Sequence, residues 1–256
     1  MGEVSPLRRF GNRLFRHAFP VYEPLYRVYK AYSDRTERAL IKRLLRPGAV
    51  VVDGGANIGA YTRFAARLVG PNGLVHAFEP APDNYEHLAR ATRRLHNVRA
   101  NRKALGESSG TSQLYISKEL NVDHRAYAID EAREAVPLEI VALDDYFGPG
   151  ERVDLLKLDV QGYELHALRG AARVLSDNPQ INVLVELWPH GLREAGGDWR
   201  ELVDLLRSFA MEVMLVDADG VTDFDERKVQ DGFSCYLNVF AARDVAKVLN
   251  DTASSR

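Results

Sequence analysis

The feature that most constrains the fold is a short apolar run that ends in an acidic residue and a glycine-rich turn. Residues 49–53 read Ala-Val-Val-Val-Asp, and residues 54–59 read Gly-Gly-Ala-Asn-Ile-Gly. A continuous run of β-branched residues is typical of a strand buried on both faces of a parallel sheet. Residues 59–69 have apolar positions at helical spacing. This order predicts a strand–turn–helix unit whose glycines let the backbone approach a ligand at the strand end.

The alternation of strand and helix continues to residue 209. Further apolar strands are predicted at 74–79, 98–103, 153–160 and 181–187, with helices at 82–95, 163–175 and 198–209. Two more strands, 212–216 and 233–241, have no helix between them and therefore predict an antiparallel hairpin. The expected fold is α/β, with a mostly parallel seven-stranded sheet, a C-terminal antiparallel hairpin and helices on both faces.

The length of 256 residues allows one such domain with a modest extension. We expect a basic helical N-terminal extension at 1–46, the α/β domain at 47–244 and a C-terminal tail at 245–256. Within the extension, helices over 6–32 should break near Pro20 and Pro24, and Asp34 with Glu37 resembles a capping box. Residues 110–147 interrupt the alternation and predict strands at 111–117 and 138–147. The polar loop between them, 118–135, would cover the site as a lid.

Charge is unevenly distributed. The chain has a net charge of −2, but residues 1–50 hold 11 Lys or Arg against 4 Asp or Glu, so this arm carries +7 and the remainder −9. The arm can pair with the acidic core or contact an acidic substrate, a membrane surface or another subunit, and a homodimer through the arm is one expectation. The chain as a whole has no nucleic-acid signature. Cys235 is the single cysteine, which excludes an internal disulfide and fits a reducing cytoplasm. No apolar run approaches the roughly 18 residues of a spanning helix.

The glycine-rich turn predicts a nucleoside ligand other than a dinucleotide. A dinucleotide fingerprint needs glycines at positions 54, 56 and 59, but residue 56 is Ala, and Asp53 would repel a pyrophosphate. Asp53 can instead accept hydrogen bonds from a ligand's ammonium group. Glu79 ends the second strand, where a carboxylate can accept both ribose hydroxyls, although a charge at the N-terminus of the next helix is the alternative role.

Three segments resemble the FkbM family of methyltransferases. They are residues 52–62 (Val-Asp-Gly-Gly-Ala-Asn-Ile-Gly-Ala-Tyr-Thr), residues 78–80 (Phe-Glu-Pro) and residues 153–164, which contain Lys157-x-Asp159-x-x-Gly162-x-Glu164. The family usually has Glu where this chain has Gln161. The resemblance covers about residues 40–241 and implies S-adenosylmethionine as cofactor and O-methylation of sugar or polyketide hydroxyls. The expected cofactor-binding residues are Asp53, Gly55, Asn57, Gly59, Thr62, Glu79, Ala104 and Asp159.

Four side chains are candidates for catalysis, because an enzyme that transfers a methyl group must orient its acceptor and can assist with a base. Asp159 ends the fourth strand, although it could cap the following helix. Glu186 is a carboxylate in an apolar strand, where it is costly unless it faces a site or a partner. His190 follows that strand, and His124 lies in the polar loop. The buried Lys157 needs a partner, and Glu164 is the expected one.

Other functions fit the sequence less well. Asp159 and Glu186 could share oxygen-ligated magnesium, but nothing in the sequence requires it and no metal is expected. A nicotinamide-dependent oxidoreductase is disfavoured by Ala56 and by the closing hairpin. A cofactor-binding scaffold without catalysis and a methyltransferase acting on a macromolecule are further alternatives. The sequence favours an S-adenosylmethionine-dependent O-methyltransferase with a small hydroxylated acceptor.

Overall fold

The computed structural model describes residues 6–116 and 134–250. Its helices are α1 (Pro6–His17), α2 (Phe19–Ser33), α3 (Arg35–Leu44), α4 (Ala60–Val69), α5 (Pro82–Thr92), α6 (Leu143–Tyr146), α7 (Glu164–Arg169), α8 (Ala172–Asp177), α9 (Pro189–Glu194), α10 (Trp199–Ser208) and α11 (Val245–Asn250). Its strands are β1 (Val50–Gly54), β2 (Leu74–Phe78), β3 (Val98–Asn101), β4 (Ala104–Leu105), β5 (Gly110–Ile116), β6 (Glu134–Val141), β7 (Leu155–Leu158), β8 (Asn182–Leu187), β9 (Glu212–Asp217), β10 (Gly220–Asp223) and β11 (Leu237–Ala242).

The main sheet has the strand order β10-β9-β11-β8-β7-β1-β2-β3. The strands from β8 to β3 in this order are parallel, and β11 runs antiparallel to both β8 and β9. This confirms the α/β fold and the antiparallel C-terminal strands. The sheet has eight strands rather than seven, because the chain forms one more strand, β10, after β9 in the sequence. In the sheet, β10 lies at the edge beside β9. The strand order reverses at β1 and β7, so their carboxyl ends open into the crevice where ligands bind in such folds.

Both faces of the sheet are covered by helices. Side chains of β7, β8 and β11 pack on one face with α7 and α10, and Val51 and Leu155 pack on the other with Leu40 and Ala65 of α3 and α4. The β1 and β7 strands pair in register, which places Asp53 beside Lys157. Likewise β8 and β11 place Glu186 beside Asn238. Polar side chains from four strands therefore meet at one edge of an otherwise apolar sheet.

The N-terminal helices pack over this edge. Phe15 and Tyr22 form a buried cluster with Ile58 of the glycine-rich turn, and Phe19 stacks on the ring of His87 in α5. Arg63 of α4 and Glu23 of α2 form an ion pair of 2.6 Å. The described part of the extension is thus helical and is fixed to the domain through the turn.

Two local predictions for the extension were wrong. Pro24 lies inside α2 without ending it, because it is exposed and removes one backbone hydrogen bond at most. The helix break comes at Ala18, before Pro20. Asp34 precedes α3 but its side chain does not cap the helix. It binds Lys30, Ser33 and Tyr61 instead.

The insertion forms a separate three-stranded sheet in the order β4-β6-β5. Its hairpin of β5 and β6 is antiparallel, as expected. The second strand begins and ends earlier than predicted, and residues 143–146 are helical. Most of the predicted 118–135 loop, with His124, lies outside the described residues. At the C-terminus, where a tail was predicted, α11 packs Val245 into the core.

The glycine-rich turn touches the backbone after β7. A Cβ at Gly55 would lie 1.8 Å from the carbonyl oxygen of Asp159, and the φ of Gly55 is +76°. Gly48 has a similar φ of +86° with no atom within 4 Å of its Cβ position. The two positions therefore differ in crowding rather than in backbone strain.

We expect Gly55→Ala to lower the free energy of unfolding by about 1–3 kcal/mol more than Gly48→Ala, because both variants carry the strain of a positive φ and only the first forces backbones apart. Urea unfolding of both variants measures the difference. Equal losses would show that the approach to Asp159 imposes no steric cost.

Candidate active site

Asp53 lies at the carboxyl end of β1 with a side chain that is almost fully buried. Its Oδ2 accepts a hydrogen bond of 2.6 Å from the hydroxyl of Thr62, which is itself buried. Its Oδ1 has no hydrogen-bond partner within the described structure. Burial raises the pKa of Asp53, and the nearby Lys157 and the Thr62 hydroxyl oppose that effect. One carboxylate oxygen is therefore fixed by the protein, and the other is available to a donor.

The ammonium group of Lys157 lies between two carboxylates. Its Nζ is 3.9 Å from Oδ1 of Asp53 and 3.6 Å from Oδ2 of Asp159, and 4.6 Å from the ring centroid of Tyr61. The predicted pairing of Lys157 with Glu164 was wrong. Glu164 begins α7 and turns back on its own loop, where Oε1 accepts from the backbone N–H groups of Val160 and Gly162. A buried lysine needs a carboxylate, and the register of β1 with β7 supplies Asp53.

The loop between β7 and α7 has little freedom. Gly162 has a φ of +98°, and a Cβ there would lie 2.5 Å from the carbonyl carbon of Gly191. Gln161 has a φ of +56°, in the left-handed region. Burial raises the pKa of Glu164 to about 7, while its backbone hydrogen bonds oppose the shift. In the motif, Lys157 and Asp159 thus form an ion pair, Gly162 allows a close backbone contact, and Glu164 holds the loop through hydrogen bonds.

Asp159 and Glu186 meet at the ends of neighbouring strands. The amide Nε2 of Gln161 is 3.1 Å from Oδ1 of Asp159 and 3.3 Å from Oε2 of Glu186, so it donates between them. Burial acts to raise the pKa of Asp159, but the ammonium groups of Lys157 and Lys30 hold it below its usual range. Burial and the charge of Asp159 raise the pKa of Glu186 well above its usual range. The two carboxyl groups are therefore shifted in opposite directions, and Asp159 is the more acidic of the pair.

Glu79 follows β2 and binds the glycine-rich turn. Its Oε2 accepts from the backbone N–H of Asn57 at 2.8 Å, and its Oε1 accepts from that of Ala81 at 2.9 Å. The N–H groups of Gly55 and Ala56 both donate to the carbonyl of Phe78. Burial raises the pKa of Glu79 to about 7. The turn is therefore tied to the end of β2. The side chain of Asn84 also hydrogen-bonds to the Glu79 carboxylate, so three donors leave room for about one more.

The remaining predicted cofactor residues shape the backbone around these carboxylates. Asn57 has a φ of +51° and its Oδ1 accepts from the N–H of Ile58. Gly59 precedes α4 with a φ of +84°. Ala104 is buried in β4, against Ala81 and the insertion.

His190 lies beside aromatic rings rather than at the carboxylate pair. Its ring centroid is 5.6 Å from that of Trp188 and 5.2 Å from that of Phe233. Tyr236 stacks on Trp188 at 5.2 Å. Phe233 and Tyr236 are partly exposed, whereas Trp188 is buried. In the described part of the chain, His190 makes no hydrogen bond to Asp159 or Glu186.

Sequence reasoning missed the contribution of the N-terminal helices. Lys30 of α2 binds Asp34 at 2.6 Å, and the hydroxyl of Tyr61 donates to the same carboxylate at 2.9 Å. The ring of Tyr61 lies near the ammonium groups of both Lys30 and Lys157. The one sequence signal was that Lys30 shares a helix face with Tyr22 and Tyr26, away from the exposed apolar residues.

Glu37 of α3 was also missed. It accepts a hydrogen bond from Nδ2 of Asn238, whose neighbour across the strands is Glu186. Burial raises the pKa of Glu37 to about 7, with a further rise from Asp34. The sequence pattern that could have identified Glu37 is its position on the same helix face as the apolar stripe of α3. The polar cluster therefore extends from β1 across to β11 beneath α3.

A family model for the methyltransferase FkbM domain matches residues 53–211, more than half of the chain. The chain belongs to the FkbM family of methyltransferases. The matched range contains Asp53, Glu79, Asp159 and Glu186. The chain is accordingly an S-adenosylmethionine-dependent methyltransferase, which confirms the resemblance seen in the sequence motifs.

The chain is similar to proteins whose names also describe methyltransferases. The chain is 32% identical over 189 residues to Methyltransferase 1 of Beauveria bassiana, covering 64% of this chain and 73% of that protein. It is 30% identical over 204 residues to 31-O-demethyl-FK506 methyltransferase FkbM of Streptomyces tacrolimicus, with 66% and 75% covered. It is 27% identical over 205 residues to hexuronic acid methyltransferase AglP of Haloferax volcanii, with 77% and 79% covered. A solved methyltransferase FkbM from Methylobacillus flagellatus KT has a TM-score of 0.47 and 16% identity, covering 91% of this chain and 60% of that one.

The donor set fits S-adenosylmethionine. Oδ1 of the buried Asp53 accepts no hydrogen bond within the described structure and suits an ammonium group, and the Glu79 carboxylate suits a ribose hydroxyl. The cofactor is a cation, and the carboxyl groups near its predicted site outnumber the ammonium groups of Lys30 and Lys157. No helix in the described ranges has the length and apolarity needed to cross a membrane.

Replacing Lys157 tests the charge balance of the site. We expect Lys157→Met to lower the free energy of unfolding by about 3 kcal/mol at neutral pH, because the buried carboxylate of Asp53 and the partly buried carboxylate of Asp159 lose their counter-charge. The low pKa of Asp159 stabilises the native protein above the ordinary aspartate pKa, and this stabilisation is lost as the pH falls through the folded-state value. In the variant that pKa rises, so the penalty should shrink as the pH falls.

Urea unfolding across the acidic and neutral range measures this dependence. The matched control is Lys103→Met, which removes an ion pair with Glu139 whose side chains are 33% and 56% exposed. It should cost about 1 kcal/mol or less at every pH. A Lys157→Met penalty that does not change with pH would contradict the charge-balance account.

Proposed function

We propose that this methyltransferase transfers the methyl group of S-adenosylmethionine to a hydroxyl of a small molecule such as a sugar, a glycoside or a polyketide-type natural product. The observation that carries this proposal is the juxtaposition of the Asp159 and Glu186 carboxyl groups, which are bridged by the amide of Gln161, with Lys157 between Asp159 and Asp53. Asp159 is the more acidic of the two, so it suits accepting a hydrogen bond from an acceptor hydroxyl, while Glu186 suits donating one. When bound, the cofactor supplies an electrophilic methyl group on a sulfonium.

Asp159 acts mainly by orientation. Because its pKa is held low, it is a weak base, but it accepts a hydrogen bond from an acceptor hydroxyl well. Its backbone is fixed against Gly55, and its side chain is held by Lys157 and Gln161. A fixed acceptor oxygen gains much of the advantage of in-line attack through position alone.

Glu186 adds a donor to the same place. In its neutral form it can donate a hydrogen bond to a second acceptor oxygen, which a molecule with adjacent hydroxyls provides. His190, Phe233 and Tyr236 supply a partly exposed aromatic wall near the end of β8, which suits the apolar face of a ring. In this proposal His190 contributes to acceptor binding and is a second candidate base, and His124 remains a candidate from the insertion.

The names of the relatives support the same acceptor class. One relative is named as a 31-O-demethyl-FK506 methyltransferase and another as a hexuronic acid methyltransferase. The first name specifies an oxygen, and the second a sugar acid. The acceptor of this chain should therefore be sought among hydroxylated rings.

Two substitutions separate binding from turnover. Asp53→Asn should weaken S-adenosylmethionine binding by about tenfold or more, since it replaces a charged acceptor for an ammonium group by a neutral one. Asp159→Asn should leave cofactor affinity within a few-fold while reducing methyl transfer by about 10²-fold or more. Titration calorimetry gives the affinities, and transfer of a labelled methyl group to a panel of sugars, uronic acids and macrolide alcohols gives the turnover.

Asp154→Asn is the control, because this aspartate lies at the opposite end of the sheet, where it accepts from the N–H of Val50. It should retain both cofactor affinity and turnover. Full turnover of Asp159→Asn on an acceptor hydroxyl would contradict the assigned role. A labelled product methylated on nitrogen or carbon would contradict O-methylation itself.

No metal is expected to take part. The space between Asp159 and Glu186 is occupied by the donating amide of Gln161, and the ammonium of Lys157 lies on the other side of Asp159. Donors in these positions compete with a cation for the same oxygens. Treatment with EDTA should therefore leave methyl transfer unchanged, as measured with the labelled cofactor. A loss that magnesium restores would show that the carboxylates bind a metal instead.

A further inference from the structure

The outer face of α2 carries a stripe of exposed apolar side chains. Val21, Leu25, Val28, Tyr29 and Tyr32 are each between 52% and 73% exposed. Their spacing of three or four residues places them on one side of the helix. In the described ranges, the other large hydrophobic side chains with comparable exposure are Phe233 and Tyr236, on a different segment. A concentrated apolar surface of this kind indicates an interaction site.

The stripe is not a displaced part of the core. The opposite side of α2 is already packed, with Tyr22 buried against Phe15 and Ile58. Arg27 is the only charged residue among the exposed positions of α2. The helix therefore has one face bound to the domain and a second apolar face open to the surroundings.

Basic residues flank the stripe in the sequence, before and after α2. The sequence of α1 contains four arginines and one histidine and no acidic residue, and Arg13 and Arg16 are exposed. Arg35 lies 5.5 Å from the ring centroid of Tyr32 at the other end of α2. The whole arm, residues 1–50, carries +7. A second copy on this face would bring two identical basic surfaces together about a twofold axis, which like-charge repulsion opposes.

We propose that the outer face of α2 lies on an anionic lipid surface. Apolar side chains enter the headgroup boundary, tyrosines lie at that level, and arginines attract the anionic headgroups, which is the pattern of an interfacial helix. This inference rests on the surface of α2 and α1 and is independent of the proposed methyl acceptor.

The test uses the full chain and sedimentation with vesicles. We expect binding to vesicles of equal parts phosphatidylglycerol and phosphatidylcholine, little binding to pure phosphatidylcholine, and weaker binding as salt is raised, because exposed charges are screened. Leu25→Ser with Val28→Ser should reduce the binding by about tenfold or more, since two apolar side chains no longer enter the membrane. Phe233→Ser is the matched control, because it removes an exposed aromatic side chain outside the stripe, and it should bind as the wild type does.

Two results would overturn the proposal. The first is equal binding of the wild type to both vesicle types, or no binding to either at low salt; this result needs no variant and holds even if the double variant misfolds. The second is a dimer in solution, seen by analytical ultracentrifugation without lipid, that the Leu25→Ser and Val28→Ser changes dissociate. That outcome would assign the stripe to a second copy of the chain.

Discussion

The site depends on one interaction, the ammonium of Lys157 between the carboxylates of Asp53 and Asp159. The three residues come from the adjacent ends of β1 and β7, and the ammonium group offsets the repulsion between the buried carboxylate of Asp53 and the partly exposed carboxylate of Asp159. The same juxtaposition requires the backbone after β7 to touch the glycine-rich turn, which Gly55 permits. The need for glycine at position 55 and the need for a cation between the two carboxylates therefore both follow from the pairing of β1 with β7.

Around this centre the protein keeps more acidic than basic side chains. Burial raises the pKa of Asp53, Glu79, Glu37 and Glu186, and Lys30 and Lys157 provide the cationic groups among them. Such an excess costs stability in the protein alone. This excess agrees with the proposed binding of a ligand that carries a sulfonium and an ammonium group, because groups of opposite charge are electrostatically complementary. The acidic composition of this pocket is thus better explained by the ligand than by folding.

Sequence patterns predicted what is encoded locally and missed what depends on pairing. The buried strands and the positions of Asp53 and Glu79 at strand ends follow from contiguous apolar runs. The partner of Lys157 does not, because it is set by the register of two strands that lie about a hundred residues apart in the sequence. Asp34 has the sequence of a helix cap but binds Lys30 and Tyr61, which only tertiary packing brings near. Strand β10 is four residues long and only partly buried, so it left no apolar pattern to detect.

The N-terminal arm links the exposed face of α2 to the glycine-rich turn. Phe15 and Tyr22 share a buried cluster with Ile58, and Ile58 lies in the same turn as Gly55 and Asn57. The ion pair of Glu23 with Arg63 fixes α2 to the helix that follows this turn. A displacement of α2 would therefore break contacts on the cofactor side of the sheet, since packed interiors transmit strain rather than absorb it. The opposite face of this helix is the exposed apolar stripe. One layer of aromatic side chains, Phe15 and Tyr22, therefore separates the stripe from the glycine-rich turn, so a surface that binds the stripe also restrains the turn.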